Sequence, residues 1–433
     1  MSGTAHRGRR ARIWLVGVGV LALLAAGAGT AVAGSDRPAG GRTAEPQLVA
    51  AGTTAKAAKV DKASRSAQPG RKPRPTPSPT SSPTSSPTPT PTPTATTPPP
   101  STDVNVQIPI PGYVTGFRFG DIVVDEARGR VYITGGKGTD GLTVTDLAGN
   151  VLRTLPGIAP GAAGMTLSPD GRKLYIAAGD QDWLRIVDLD TWELDGQFAG
   201  KTDGTMTCPK DMAFAAGQLW VSWGCENEPT AGIGRVDLAT GKFDVYAVDA
   251  IDERITSGML LATSPAQPDM LIAGATGTSP ALLVRFEATA TGLVQRAISR
   301  TDGGSVAQLA VTPDGTEVIV PSGAPYYHPV LRTSDLVEVH RYPTVPYPNA
   351  VAVRPDGLVV AGTNSSYDKD VWVFEPGGTT PTATYEFGHL PNQETWAHNL
   401  VNGGLAVSGN KIYAITDQLA EPEMVTLRIR TLP

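Results

Sequence analysis

The chain has 433 residues, of which 36 are Lys or Arg and 41 are Asp or Glu. Residues 1–101 carry a net charge of +10, and residues 102–433 carry a net charge of −15. An acidic body of this size repels phosphate backbones, which excludes nucleic acid as an expected partner. The chain has only 2 Cys, which excludes a disulfide-dense scaffold and a cysteine-based zinc cluster.

The N-terminus has the pattern of an export signal. Residues 6–12 are basic, and residues 13–33 are apolar except for Thr30. The sequence Ala-Val-Ala before Gly34 is a small-x-small cleavage pattern. We therefore interpret residues 1–33 as a cleaved signal peptide. The alternative is an uncleaved membrane anchor, because about 20 apolar residues suffice to span a bilayer. Both interpretations place the remaining chain outside the cytoplasm, secreted or anchored on the outer face of the cytoplasmic membrane.

A linker over residues 34–101 is predicted to be disordered. Residues 71–100 contain 12 Pro, 9 Thr and 5 Ser, so this part offers almost no apolar surface to bury. Alternating Thr-Pro favours an extended polyproline II spacer, and such a stalk is also typical of O-glycosylated segments. The positive charge of the N-terminal segment favours association with an anionic membrane or cell wall.

The residues after the linker contain seven copies of one sequence motif. Each copy has an apolar strand, a turn rich in Pro, Asp and Gly, and a second apolar strand. The second strands are centred, 40 to 54 residues apart, on Tyr132, Tyr175, Trp220, Leu271, Ile319, Val359 and Tyr413. The repeat predicts seven copies of one supersecondary unit in a domain that covers residues 102–433.

The turns indicate hairpins, as in Pro169-Asp170-Gly171, because Pro presets φ, Asp binds the turn backbone and Gly accepts a positive φ. A third strand and a fourth strand follow in each unit. Seven four-stranded antiparallel units predict an all-β, seven-bladed β-propeller. A closed ring is expected because an open row of such sheets would leave two exposed ends, and a ring leaves none. The last unit is one strand short, and residues 104–110 form a strand without a partner. We predict that this N-terminal strand completes the seventh blade.

The pattern SPDG, LYIA and IVDL, at residues 168–171, 174–177 and 186–189, resembles the YVTN-type β-propellers, the YncE-like group of secreted bacterial proteins. The resemblance covers residues 104–433. It implies the propeller fold more than a function, because relatives include cell-surface binding proteins, subunits resembling quinoprotein dehydrogenase scaffolds, and a few lyases.

Ligands of propellers usually lie on the face where the first strand of each blade begins and the second strand ends. We call it the channel face. Cys208 and Cys225 belong to this face, and we expect a disulfide between them in an exported protein. No metal site and no cofactor is predicted. Candidate ligand-binding residues on this face are Lys137, Asp180, Trp223, Tyr327, Asn364, His398 and Asp417.

Two stretches of the channel face combine aromatic rings with His and carboxamides, Pro325–His328 and residues 388–399. They suit a sugar, a peptide or a small polar ligand, although such side chains also anchor loops. Lyases of this architecture use a His and an acid on the same face. By that resemblance, His398 and Glu394 are the candidate catalytic pair.

The combination of stalk and channel face predicts a monomeric extracytoplasmic binding module for an extracellular ligand or protein, displayed on a flexible stalk. One alternative is a secreted propeller enzyme with lyase or dehydrogenase-associated chemistry on the same face. Another is a structural envelope protein whose rim edges contact other chains.

Overall fold

The computed structural model describes residues 103–110, 119–200, 207–225, 231–247, 257–365, 368–387, 399–416 and 424–433. Within these ranges the chain forms 28 strands in seven four-stranded antiparallel sheets, and one short 3-10 helix at Gly179–Gln181. The predicted signal or anchor and the predicted linker lie outside the described residues. No helix of the described part is long and apolar enough to cross a bilayer.

The sheets follow one another along the chain as blades 1 to 7. In blades 1 to 4 the strands are β2 (Phe119–Asp125), β3 (Arg130–Gly135), β4 (Leu142–Asp146), β5 (Val151–Leu155), β6 (Ala162–Leu167), β7 (Lys173–Ala178), β8 (Trp183–Asp188), β9 (Leu194–Ala199), β10 (Pro209–Ala215), β11 (Gln218–Gly224), β12 (Ala231–Val236), β13 (Phe243–Ala247), β14 (Met259–Ser264), β15 (Gln267–Ala275), β16 (Ala281–Thr289) and β17 (Gly292–Thr301).

In blades 5 to 7 the strands are β18 (Ala310–Val311), β19 (Glu317–Ile319), β20 (Tyr327–Arg332), β21 (Glu338–Pro343), β22 (Pro348–Val353), β23 (Val359–Thr363), β24 (Val371–Phe374), β25 (Ala383–Tyr385), β26 (Leu400–Ser408), β27 (Lys411–Thr416), β28 (Met424–Thr431) and the N-terminal β1 (Val104–Pro109).

The blades form a closed ring. The first strands of successive blades contact each other in the order β2, β6, β10, β14, β18, β22 and β26, and β26 contacts β2 again. The first strands therefore line a central channel, and the fourth strands form the outer rim. This arrangement confirms the seven-bladed β-propeller predicted from the repeat.

The N-terminal strand completes the seventh blade, as predicted. Strand β1 pairs antiparallel with β28, with Val106 opposite Leu427 and Ile108 opposite Val425. Ile108 is fully buried in a cluster that also contains Tyr413 of blade 7 and Val131 of blade 1. One strand from the start of the domain therefore closes the ring on its end.

The core lies between blades. Successive side chains of a strand point to opposite faces, so each blade buries one face against each neighbour. One buried cluster joins Tyr132 and Val144 of blade 1 to Met165 and Ile176 of blade 2. Apolar burial between rigid sheets supplies the main stabilising free energy of the ring.

The predicted hairpin turns are present. Gly171, Gly315 and Gly357 have φ values of +67°, +75° and +89°. These values explain the glycine at that turn position, because a side chain there would be strained. In the third unit, where Ala-Ala-Gly-Gln replaces the Pro-Asp-Gly turn, Ala216 and Gly217 both have positive φ. Two positive φ values are typical of a tight hairpin turn with the same twist as its strands.

Candidate functional site

The central channel holds a cavity of about 750 Å³ between the first strands of the blades. Its wall combines small residues and backbone with a few polar side chains. The polar side chains of the wall include Asp121, Lys210, Asp211, Ser257, Thr276, Gln308 and Asn402. A channel of this volume and polarity suits a small polar ligand.

Three polar side chains of the channel wall connect neighbouring blades. Asp121 of blade 1 accepts a hydrogen bond from the Met165 N–H of blade 2 at 2.7 Å. Asp211 of blade 3 accepts one from the Leu261 N–H of blade 4 at 2.8 Å.

Gln308 makes the third bridge. It accepts a hydrogen bond from the Val351 N–H of blade 6 at 2.8 Å and donates one to the Leu405 carbonyl of blade 7 at 3.2 Å. The second oxygen of each aspartate accepts a bond from the next backbone N–H of its own strand, that of Ile122 or Met212. Both oxygens of each carboxyl group are therefore engaged.

The surroundings of the two aspartates favour their neutral forms. Burial, and then the charge of Asp211, raise the pKa of Asp121 to about 7. Burial raises the pKa of Asp211 to about 6, although the bonds from Leu261 and Met212 oppose this change. The channel wall therefore changes charge close to neutral pH.

Lys137 and Asp180 lie in neighbouring loops of the channel face, those of blades 1 and 2. Both side chains are exposed, and the Gly138 N–H donates a hydrogen bond to Asp180 Oδ2 at 2.8 Å. Asp180 also lies against Gly161, where an added Cβ would be 2.3 Å from its carboxyl carbon. Asp180 therefore joins two loops, and the binding of a ligand by this pair stays a prediction.

Trp223 lies inside the ring rather than at its surface. Its side chain is 4% exposed and packs against Phe243, with the ring centroids 5.2 Å apart. An added Cβ on Gly232 would lie 2.2 Å from the indole. The neighbouring strand β12 therefore has a glycine at the position against which the indole packs. The immediate role of Trp223 is packing.

The predicted disulfide is present. Cys208 precedes β10, Cys225 follows β11, and their Cα atoms are 5.1 Å apart. The Cys208 N–H donates a hydrogen bond to Asp182 Oδ1 at 2.8 Å. The disulfide therefore joins the two ends of a hairpin and holds them near blade 2.

Tyr327 and Asn364 border one connection of the channel face, residues 344–347, between blades 5 and 6. Tyr327 pairs with Pro343 at the start of this connection, and the Asn364 N–H donates to the Tyr347 carbonyl at 2.9 Å. His328, which the sequence placed beside these rings, is instead buried and binds the Ala350 carbonyl at 3.1 Å.

The other candidates, Glu394, His398 and Asp417, lie outside the described residues, so their catalytic and binding roles stay predictions. Within the described ranges, no group of three or more His, Cys, Asp or Glu side chains is arranged to hold a metal ion.

The sequence interpretation missed the bridging role of Asp121 and Gln308, and it missed Tyr347. A signal for the bridges exists in the repeat. The position just before the apolar part of the first strand is polar in blades 1, 3 and 5, as Asp121, Asp211 and Gln308. The same position in blades 2 and 6 is Gly164 and Ala350. No local pattern marks Tyr347.

The fold and the channel define the class of this protein, a seven-bladed β-propeller with a polar channel. A solved structure to which the chain is similar is the β-propeller domain of Cps50 (Swd1) from Myceliophteria thermophila, with a TM-score of 0.54 and 16% identity over 76% of this chain and 100% of that chain. At this identity, the similarity shows the fold alone. No family model and no curated protein matches the chain.

Proposed function

We propose that this chain is an extracytoplasmic binding module of the YncE-like kind, displayed on its Pro/Thr/Ser-rich spacer and binding its ligand on the channel face. The observation that carries the proposal is the open polar channel of about 750 Å³ at the centre of a closed ring. Rigid blades fix the positions of the loops around this channel. A preformed surface loses little entropy when it binds a ligand.

Two features of the chain support its export. The basic N-terminus, the apolar run of residues 13–33 and the small residues before Gly34 follow the pattern of a secretory signal. The disulfide between Cys208 and Cys225 suits an oxidising compartment.

The channel acids favour binding over proton transfer. Asp121 and Asp211 change protonation near neutral pH, which a general acid or base requires. Each of their oxygens, however, already accepts a backbone hydrogen bond. A substrate would have to displace a backbone hydrogen bond to reach any of these oxygens, so we assign both groups to the channel wall.

Export is tested by the mature N-terminus. We expect the chain, expressed in a bacterium, to be recovered outside the cytoplasm with Gly34 as its first residue in mass spectrometry. An intact Met1 in the membrane fraction would indicate the anchor instead. A chain that stays in the cytoplasm with its cysteines reduced would contradict the proposal.

The binding face is tested by substitutions on opposite faces. The channel-face variants are Asn402→Trp, which fills the channel mouth, and the double variant Tyr326→Ala with Tyr347→Gly. Glu126→Trp, in the hairpin turn between β2 and β3 on the opposite face, is the control. Sugars, peptides and small polar metabolites are screened by thermal shift.

We expect a stabilising ligand whose effect at least one channel-face variant abolishes and Glu126→Trp retains. A screen without a stabilising ligand, or an effect lost only in Glu126→Trp, would contradict the channel face as the binding face.

A further inference from the structure

The two most exposed large apolar side chains of the described residues lie on the same part of the channel face. Tyr326 is 64% exposed and Tyr347 is 59% exposed. Tyr326 immediately precedes β20 of blade 5, and Tyr347 immediately precedes β22 of blade 6. Two largely exposed aromatic side chains on neighbouring connections are unusual, because aromatic side chains bury large areas in folded proteins.

Backbone hydrogen bonds hold the two segments together. The Thr344 N–H donates to the Tyr326 carbonyl at 3.0 Å, and the Gly323 N–H donates to the Pro348 carbonyl at 2.9 Å. With the bond from Asn364 to Tyr347, these contacts connect three loops in one rigid surface. We call Tyr326, Tyr327 and Tyr347 the tyrosine patch.

Tyr327 anchors the patch through paired charges. Its hydroxyl donates to Asp302 Oδ2 at 2.8 Å, and the Arg341 guanidinium lies 4.0 Å from the centre of its ring. Arg341 also binds Glu338 and approaches Asp302 at 3.9 Å. The cation beside the patch is therefore paired with two carboxylates, and the group of Arg341, Asp302 and Glu338 offers no net positive charge to an anionic ligand.

Tyr347 stays exposed at a cost in backbone energy. Its φ is +67°, a left-handed conformation that costs a bulky residue roughly 1–2 kcal/mol. Burial of the ring does not offset this cost, because most of the ring contacts solvent. Strain at an exposed side chain is typical of a position that serves a ligand rather than the fold.

We propose that the tyrosine patch is a carbohydrate-binding platform for a neutral polysaccharide. This inference rests on the proposed function and names the ligand class of the channel face. Tyrosine rings provide rigid, amphipathic surfaces at a low entropic cost, and the C–H face of a sugar packs on such a ring. Asn364, whose N–H binds the Tyr347 carbonyl, and Asp302 and Arg341, which contact Tyr327, supply side-chain groups that can bind hydroxyls.

The charge of the domain selects a neutral ligand. Residues 102–433 carry a net charge of −15, which repels anionic polysaccharides. The rings bind without ionic contacts, so binding of a neutral polysaccharide is expected to depend little on salt.

The test measures binding of the purified chain to cellulose, chitin, starch and mannan, with alginate as the anionic control, in low and high salt. The variants are Tyr326→Ala, Tyr347→Gly and their combination, and Tyr347→Phe, which keeps the ring. Val337→Ala, an exposed aliphatic change in the same blade, is the control.

We expect binding to at least one neutral polysaccharide that falls at least tenfold in Tyr326→Ala and in Tyr347→Gly and persists in Tyr347→Phe and Val337→Ala. Tyr347→Gly is expected to melt at or above the temperature of the parent chain, because glycine relieves the strain. Loss of binding without loss of stability separates a binding role from a structural one.

Three results would overturn the inference: no binding to any of the four neutral polysaccharides, unchanged binding in the double variant, or a preference for alginate. Capture of a peptide by the same patch would also overturn it, but would leave the proposed binding module standing.

Discussion

At the scale of single residues, aromatic side chains are buried at one position of this ring and exposed at another. Trp223 and Tyr347 are both aromatic and both lie near the channel face. Trp223 is 4% exposed, whereas Tyr347 is 59% exposed. The difference follows from the surroundings, because Gly232 leaves room for the indole of Trp223, whereas Tyr347 lies in the connection between β21 and β22.

Replacing Trp223 by Ala is expected to lower the free energy of unfolding by about 3–5 kcal/mol, because it removes a large buried ring and leaves a cavity. Trp223→Phe keeps part of the packing and is expected to lose less. Denaturant unfolding measures both variants. An unchanged free energy for Trp223→Ala would show that the indole is not part of the core.

The second prediction at this scale concerns the disulfide between Cys208 and Cys225. The double variant Cys208→Ser with Cys225→Ser is expected to lose about 3 kcal/mol of stability, because the reduced chain has more freedom when unfolded. The parent chain is expected to melt lower after reduction, and the double variant is expected not to respond to reductant. A parent chain indifferent to reductant would contradict this.

At the scale of elements, the alternating polar position of the first strands connects the blades in pairs. Asp121, Asp211 and Gln308 each accept a hydrogen bond from a backbone N–H of the next blade. Among the described residues, four joints of the seven-bladed ring have no such bridge, and at one of them, between blades 7 and 1, the ring is closed by strand β1, which pairs with the last strand of the chain. The first strands therefore hold the inside of the ring and β1 closes its outside.

Neighbouring residues of β1 test this closure, because they point to opposite faces of the strand. Ile108 is fully buried and Gln107 is exposed. Ile108→Asp is expected to lower stability by at least about 3 kcal/mol, since it buries a charge in an apolar cluster.

The matched variant Gln107→Asp keeps its charge in solvent and is expected to change stability much less. Equal effects of the two variants in thermal melting would show that β1 does not seal the core.

At the scale of the whole molecule, buried ionisable groups make stability depend on pH. Burial raises the pKa of Asp121 to about 7, of Asp211 to about 6 and of Asp370 to about 7. Burial lowers the pKa of His328 to about 4. These groups lie in different blades, so their effect belongs to the ring.

The signs of these effects are opposite. The three carboxyls hold protons in the folded chain where the unfolded chain has released them, so their stabilisation is greatest below about pH 4 and is lost as the pH rises through 6 to 7. His328 stabilises above about pH 6.5, and its contribution is lost as the pH falls towards 4. Because three carboxyls oppose one imidazole, we expect the melting temperature to fall between pH 5 and pH 7.5.

The dependence is checked by melting at several pH values. Asp121→Asn, which still offers an oxygen to the backbone, is expected to flatten the slope between pH 5 and pH 7. Asp170→Asn is the control, because hydrogen bonds, first that from Ser168, hold the pKa of Asp170 below its ordinary value. A melting temperature that rises over this range would contradict the assignment.

The sequence by itself determined the architecture. A repeated strand-turn-strand motif predicts local hairpins. An N-terminal strand without a local partner supplies the strand that the last unit lacks. The disulfide was predicted from the positions of its two cysteines in one repeat unit. These features depend on residues close in sequence or on the repeat itself, so they could be predicted without coordinates.

Only the tertiary structure decided which side chains are exposed on the channel face. The bond between Gly138 and Asp180 and the bridge from Gln308 to Leu405 join residues 42 and 97 positions apart. Such contacts depend on how the blades pack around the channel, and a periodic pattern contains no such distances. Tyr347 lies in a connection between two blades, outside the repeated strands, which is why the sequence did not reveal the tyrosine patch as a whole.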